Sequence, residues 1–167
     1  LFFNAACLQA ATVTINGANT GRTFDGMGAV SAGANSRLLI EYEEPYRSDI
    51  LDFLFKPKFG ASFHYLKVEL GGGTNSTSGA EPSHALNRTE LSNPVSRGYE
   101  FWLMKEARNR NPGIKLDFLP WAFPYWLGTP FTQKQDYADY FTAFMIEARD
   151  QWGITVDWIS AAKNESY

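Results

Sequence analysis

A strand-like pattern of hydrophobic residues alternates with a helix-like pattern four times along the chain. Between residues 65 and 70, apolar side chains occupy every second position, which is typical of a strand with one buried face. After residue 132, apolar side chains recur at helical spacing, at Tyr137, Tyr140, Phe141, Phe144 and Ala148. Repeated strand–helix alternation predicts a parallel α/β fold.

The same patterns give approximate bounds to the elements. Strands are predicted at residues 27–31, 65–70 and 115–119, and a fourth begins near residues 155–159 and carries the chain to Asn164-Glu165. Helices are predicted from Pro45 to the Lys56-Pro57 stop, from about residue 98 to Arg110, and from a Thr132–Gln135 capping box to Gly153. The polar segment 71–94 is longer than a simple connection requires, so it is predicted to be an irregular loop.

Four βα units of roughly 40 to 50 residues each are half of an eight-unit barrel. We therefore expect a (β/α)8 TIM barrel, of which this chain carries about the first four βα units. The last predicted strand has no helix to cover it, so we expect a truncated chain that is inactive alone. Residues 21–167 would form the first half of the catalytic barrel, and residues 1–20 a lead-in.

The amino-terminal residues favour a secreted or lysosomal glycoprotein. Leu1-Phe2-Phe3 followed by the small residues 5–11 resembles the end of a signal-peptide apolar region. The alternative is a buried amino-terminal strand or helix. Sequons at Asn75 and Asn87 are candidate glycosylation sites on a secretory route.

Composition excludes several classes of function. A formal net charge of -3 and a pI near 5.4 give no reason to expect nucleic acid or an anionic membrane as partner. No apolar run is long enough to span a bilayer. One cysteine and two histidines argue against a zinc site, and we expect neither a metal nor a cofactor. Aromatic residues make up 16% of the chain; most should be core, and some could stack on a sugar.

Barrel enzymes carry their catalytic residues at the carboxyl ends of the strands and in the loops that follow. Four positions qualify here: residues 31–33, Glu69 with the glycines 71–73, Trp121, and the pair Asn164-Glu165. The glycine-rich segments do not complete a dinucleotide-binding, nucleophile-elbow or phosphate-loop motif.

The Asn164-Glu165 pair fits glycosidic-bond hydrolysis. That reaction needs one carboxylic acid to protonate the leaving oxygen and a second carboxylate opposite it. Glu165 is therefore the candidate general acid/base, and the Asn164 amide could bind the sugar's 2-hydroxyl. Lys67 and Glu69 are expected to form a structural ion pair inside the barrel.

Three further residues are expected to have structural rather than catalytic roles. We expect Asp25 and Glu81 to fix loops and His84 to order one.

Several longer strings resemble the galactocerebrosidase family of glycoside hydrolases. They include Gly21-Arg22-Thr23-Phe24-Asp25-Gly26, Glu81-Pro82-Ser83-His84, Trp102-Leu103-Met104-Lys105-Glu106-Ala107 and Leu119-Pro120-Trp121, and together the strings cover nearly all of the chain after residue 20. The resemblance implies a retaining β-galactosidase that uses two glutamates in a barrel and hydrolyses galactosylceramide and related galactolipids. A lipid-presenting activator protein is an open question.

The resemblance also implies roles for individual residues. Thr77 and Trp121 would contact the sugar; the alternatives are a solvated loop threonine and plain rim packing. Glu165 would be the acid/base, preceded by Asn164, and the nucleophile glutamate would lie farther along the barrel, beyond this chain.

The end of the chain departs from the family pattern. The family has Trp-Asn-Glu-Arg-Ser-Tyr where this chain has Ala162-Lys163-Asn164-Glu165-Ser166-Tyr167, so an ungapped alignment puts Asn164 at the acid/base position. A one-residue bulge at the strand end would restore Glu165. Two rival functions stay open: a barrel glycosidase acting on a polysaccharide, of the galactanase or xylanase type, and a non-catalytic carbohydrate-binding remnant.

Overall fold

Four parallel strands, ordered as they occur in the chain, form one sheet in a computed structural model that describes residues 11–73, 79–128 and 134–160. Each strand pairs with its neighbour in the chain. The strands are β1 (Gly28–Ser31), β2 (Tyr65–Leu70), β3 (Lys115–Pro120) and β4 (Trp158–Ile159). Parallel strands in chain order, joined through helices, are the arrangement of consecutive strands in a (β/α)8 barrel.

Helices connect the strands, and all those predicted are present. The helices are α1 (Ser36–Glu41), α2 (Tyr46–Phe55), α3 (Glu100–Arg110) and α4 (Lys134–Trp152), with short 3-10 turns at Arg88–Ser92 and Tyr125–Leu127. The sequence pattern missed α1 and the 3-10 turns, and it began β4 about three residues too early. The predicted continuation of β4 to Asn164-Glu165 lies outside the described residues. Thr132 of the predicted capping box lies outside the described residues. Within the described ranges, every helix falls short of the length or apolar character that crossing a bilayer requires.

The hydrophobic core lies between the sheet and the helices. The strands contribute buried apolar side chains to it, at Leu66, Val68, Leu70, Leu116 and Phe118. They pack against buried aromatic residues of α3 and α4. The Phe144 ring lies 5.0 Å from Phe118 and 4.6 Å from Phe101, measured between centroids. This core fixes the sheet against α3 and α4 and so fixes the loops at the strand ends.

The opposite face of the sheet carries a polar network. Lys67 Nζ lies 2.9 Å from Asp117 Oδ2 and donates to Ser160 Oγ at 2.8 Å. The predicted ion pair between Lys67 and Glu69 is therefore wrong. Lys67 and Asp117 are partners in register on adjacent strands, about 4.8 Å apart, whereas residues two apart on one strand are separated by about 6.6 Å. The Lys67 ammonium group therefore reaches the carboxylate on the adjacent strand more easily than the one two residues along its own strand.

Candidate active site

The carboxyl ends of β1, β2 and β3 meet at one edge of the sheet, because all the strands are parallel. Three of the four predicted positions lie there: residues 31–33 after β1, residues 71–73 after β2, and Trp121 directly after β3. Trp121 is partly buried. The edge therefore presents an indole beside two glycine-containing loops.

Gly72 allows the loops after β2 and β3 to touch. A Cβ at Gly72 would clash with the backbone carbonyl of Ala122, the residue after Trp121. Gly73 donates its N–H to the Glu81 carbonyl at 2.9 Å, which closes the base of the β2 loop. Close backbone approach of this kind is open only to glycine. The position of Trp121 is thus coupled to the loop after β2.

Helix α4 anchors the loop after β2 through Tyr140. The Tyr140 hydroxyl, which is fully buried, donates to the Gly71 carbonyl and lies 2.6 Å from Ser83 Oγ. His84 Nε2 lies 2.9 Å from the Tyr140 carbonyl, and the two rings are 4.2 Å apart. Burial lowers the pKa of His84 to about 4, so its imidazole is neutral. His84 orders the loop after β2, as predicted, and it is buried, so it is not exposed at the carboxyl edge of the sheet.

Three buried glutamates, Glu69, Glu81 and Glu100, lie next to this edge, and we refer to them as the glutamate cluster. Their exposed fractions are 1%, 2% and 1%. Sequence reasoning missed Glu100, because the first turn of a helix is an ordinary place for an exposed acidic residue. Within the described ranges, no set of three acidic, histidine or cysteine side chains is arranged to hold a metal ion.

Each member of the cluster binds a different segment near the strand ends. Glu69 accepts the N–H of Gly33 in the loop after β1. Glu100 Oε1 accepts from the hydroxyls of Ser31, at 2.7 Å, and Ser36, at 3.1 Å.

The remaining member, Glu81, fixes the start of α3. Its Oε1 accepts the Tyr99 N–H at 2.7 Å, and the Glu100 N–H also donates to its carboxylate. Glu81 therefore caps α3, which bears out its expected role in fixing a loop. At Asp25 the backbone carbonyl accepts the Tyr65 hydroxyl at 2.6 Å, and a role of its side chain in fixing a loop stays a prediction.

The environment of the cluster favours the protonated acids. Burial raises the pKa of Glu81 to about 7, although two backbone N–H groups oppose the shift. Burial raises the pKa of Glu100 to about 8, and the neighbouring Glu81 charge adds to the rise. Burial also raises the pKa of Glu69, against the opposing effect of the Gly33 N–H. Removing a charged carboxylate from water without a cation beside it is the common cause.

The glycosylation candidate Asn87 lies on the surface. It is exposed and caps the 3-10 turn at Arg88–Ser92, where its Oδ1 accepts the N–H groups of Thr89, at 3.0 Å, and Glu90, at 3.2 Å. The other predicted site residues, Asn75, Thr77, Asn164 and Glu165, lie outside the described residues.

Comparison with known proteins identifies the family. The sequence profile described as Glycosyl hydrolase family 59 matches residues 24–167. Galactocerebrosidase from Danio rerio is 49% identical over 152 residues, covering 88% of this chain and 23% of that protein. Galactocerebrosidase from Homo sapiens is 51% identical over 152 residues, covering 88% of this chain and 22% of that protein. The chain thus spans about a fifth of the length of the curated relatives it matches.

A solved structure supports the fold independently. An endo-β1,6-glucanase superposes with a TM-score of 0.67 and 25% sequence identity, covering 86% of this chain and 36% of that one. This likeness and the sequential parallel sheet confirm the predicted fold class, a (β/α)8 barrel represented here by four strands. The resemblance noted in the sequence is confirmed by the family match and by the identities to galactocerebrosidases. The chain belongs to glycosyl hydrolase family 59.

Proposed function

We propose that the full-length gene product is a retaining β-galactosidase of the galactosylceramidase type. It would hydrolyse the β-galactosyl bond of galactosylceramide and related galactolipids. The observation that carries this proposal is the identity of about half of all aligned residues to galactocerebrosidases across residues matched by the family 59 profile. The partly buried indole at the carboxyl edge of the sheet supports it, because aromatic rings pack well on the apolar face of a sugar.

The proposed mechanism uses two carboxyl groups. Glu165 donates a proton to the glycosidic oxygen while a nucleophile glutamate, outside this chain, attacks the anomeric carbon and forms a covalent galactosyl-enzyme. Glu165, now ionised, then takes a proton from water, which attacks the same carbon and releases galactose with retained configuration. Asn164 would bind the 2-hydroxyl, and Thr77 and Trp121 would contact the sugar.

We further propose that the protein is secreted or lysosomal and glycosylated at Asn75 and Asn87, with residues 1–20 as a signal remnant and lead-in and residues 21–167 as barrel. The exposure of Asn87 supports a glycan there. A lipid-presenting activator protein belongs to the same proposal, because a ceramide substrate sits in a membrane. Mass spectrometry of the secreted protein, before and after deglycosylation, tests both asparagines.

A polysaccharide substrate is the second candidate. The structural likeness to an endo-β1,6-glucanase, at 25% identity, favours it. The identities of 49% and 51% to galactocerebrosidases weigh more heavily. Parallel assays with galactosylceramide and a β1,6-glucan separate the two candidates, and inactivity of the full-length gene product on both would favour the non-catalytic carbohydrate-binding alternative.

The decisive experiment is Glu165→Ala in the full-length gene product, assayed on galactosylceramide and on nitrophenyl β-galactoside. Loss of the acid should slow ceramide release far more than nitrophenol release, because nitrophenol departs without a proton. Azide needs no general base, so it should restore turnover and yield a β-galactosyl azide.

The matched control for that experiment is Glu106→Ala on α3, where the glutamate pairs with Arg110 far from the strand ends. This variant should keep both activities. Equal loss on both substrates in Glu165→Ala, with no rescue by azide, would remove Glu165 from the mechanism. It would then favour the ungapped alignment, in which Asn164 occupies the acid/base position.

A further inference from the structure

The glutamate cluster joins two loops of the candidate active site through carboxyl groups that lie on separate segments. Glu69 ends β2 and reaches the loop after β1 at Gly33. Glu100 begins α3 and reaches the same loop at Ser31 and Ser36. Glu81, in the loop after β2, holds the first turn of α3. The connection between the loops after β1 and β2 therefore runs through these three carboxyl groups.

Half of the oxygen atoms in the cluster have no hydrogen-bond partner. Glu69 Oε1, Glu81 Oε2 and Glu100 Oε2 are buried and unpaired among the described residues. An ionised carboxylate is acceptor-only and needs donors on both oxygens, whereas a protonated acid is neutral, and burying its O–H group costs far less than burying an unpaired charge. The surroundings of the cluster thus stabilise neutral acids, and ionisation of all three groups would leave uncompensated charge in the core.

No cation among the described residues faces the cluster. The Glu69 charge acts on Glu81, and the charges of Glu81 and Glu69 both act on Glu100. On α4, the described titratable group that feels the cluster is Tyr140, whose pKa the Glu69 charge raises. The arginine of α1, Arg37, is exposed and pairs with Glu41 instead. Every charge added to the cluster therefore repels the other members.

The backbone around the cluster is closely packed at two glycines. A Cβ at Gly98, whose φ is 85°, would clash with Glu81 Oε1. A Cβ at Gly79 would clash with the Gly33 carbonyl, so the two loop backbones touch as well. Mutual repulsion of the ionised carboxylates would therefore favour movement of the loops after β1 and β2 away from each other.

We propose that Glu69, Glu81 and Glu100 form a proton-dependent clamp, which holds residues 31–36 after β1 against residues 71–73 and 79–81 after β2 when protonated and releases them when ionised. Its members are positioning residues: none is placed on the reacting bond. The consequence for catalysis rests on the proposed function, because it assumes that these loops line the sugar site. The consequence for the fold does not.

The direction in which stability changes with pH follows from the raised pKa values of Glu81 and Glu100. For Glu81 and Glu100 the pKa lies above the ordinary 4.5, at about 7 and about 8, so the folded protein holds these protons more tightly than the unfolded chain. The stability that they contribute is complete below the unfolded pKa and is lost as the pH rises through the folded pKa. The clamp is therefore closed in mildly acidic solution and opens toward neutral and alkaline pH.

The first test needs no variant. Hydrogen–deuterium exchange of the full-length gene product is measured at about pH 5 and about pH 8 and corrected for the intrinsic pH dependence of exchange. Peptides covering residues 31–36 and 71–73 should lose protection about tenfold or more at the higher pH, while the centre of α4, residues 140–148, stays protected. Equal protection of the loop peptides at both values would overturn the clamp.

The second test uses the neutral isosteres Glu81→Gln and Glu100→Gln, with Glu106→Gln, on the same helix as Glu100 and paired with Arg110, as the matched control. The wild type should lose roughly 5 °C or more of its thermal midpoint between about pH 5 and about pH 8, and each cluster variant should lose less than half as much. The Glu106→Gln protein should follow the wild type. The clamp is refuted if the cluster variants lose as much of their thermal midpoint as the wild type between the two pH values. It is also refuted if the variants fail to fold and hydrogen–deuterium exchange of the wild-type loops does not depend on pH.

The third readout separates the two proposals. If the wild type cleaves nitrophenyl β-galactoside, the fall of kcat/KM at high pH should shift upward in Glu100→Gln, which cannot ionise. A wild type that lacks galactosidase activity at every pH refutes the proposed function but leaves the exchange and melting results to decide on the clamp. An active wild type with unchanged pH profiles in all variants, and pH-independent exchange, refutes the clamp alone.

Discussion

Replacing Tyr140 with phenylalanine removes one oxygen atom from the point where α4 anchors the loop after β2. That hydroxyl donates to the Gly71 carbonyl and lies 2.6 Å from Ser83 Oγ. Tyr140 has no exposed surface, so water cannot take over either contact. The phenyl ring keeps its packing against His84, 4.2 Å away, and the change therefore isolates the polar contacts.

The expected cost follows from leaving a buried acceptor unpaired, which is worth about 1–3 kcal/mol. Against a total stability of about 5–15 kcal/mol for a domain, such a loss is readily measured. Urea unfolding of the full-length gene product, followed by the exposure of tryptophan, should show a lower midpoint with an unchanged slope. Tyr125→Phe is the control: that side chain is 96% exposed, and its loss should cost less than about 0.5 kcal/mol.

A double-mutant cycle with Ser83→Ala sharpens this prediction. Ser83 Oγ also donates to the Ala85 carbonyl at 2.6 Å, so its removal disturbs the same network. The two changes share one contact, and the double variant should therefore lose less stability than the singles combined, by more than about 0.5 kcal/mol. Strict additivity, or a Tyr140→Phe protein as stable as the wild type, would show that the hydroxyl does not anchor the loop.

Two further predictions concern the neighbouring loops. Trp121→Ala should lower kcat/KM for galactosides by about tenfold to a hundredfold through loss of an aromatic sugar contact, and an unchanged value would return the indole to rim packing. Gly72→Ala should destabilise the full-length protein by about 1–3 kcal/mol, because its methyl group must push away the Ala122 backbone. At Gly113 the nearest atom to an added Cβ is Asn111 Oδ1, 3.6 Å away, so a midpoint for Gly113→Ala as low as that of Gly72→Ala would refute the steric argument.

The elements that the sequence predicts well are those whose burial repeats at a local period. Strand β2 agrees residue for residue with its predicted bounds, because its apolar side chains face the core at every second position. Helix α4 shows its predicted stripe, with Tyr137, Tyr140, Phe144 and Ala148 buried. Helix α1, by contrast, has only six residues and no side-chain cap, so it leaves no periodic signal.

The candidate site was predictable only in part, because much of it depends on contacts between distant segments. Trp121 was identified from its place after a strand, which is a local property. The burial of Glu100 depends on serines 31 and 36, which lie 69 and 64 residues away. The partner of Lys67 depends on the register between two strands. Neither relation is encoded in a short window of sequence.

The sequential order of the strands bears on how the chain is made. Each strand pairs with the one that precedes it in the chain, so every sheet contact closes over a single βα unit of roughly 40 to 50 residues. A ribosome delivers the units in the same order, and each new strand finds its partner already synthesised. β2 and β3, which pair along six positions, form the longest edge available to the emerging chain. These four strands can therefore assemble in order during translation, and closure of the complete barrel requires only that the free edge of β1 wait for the last strand.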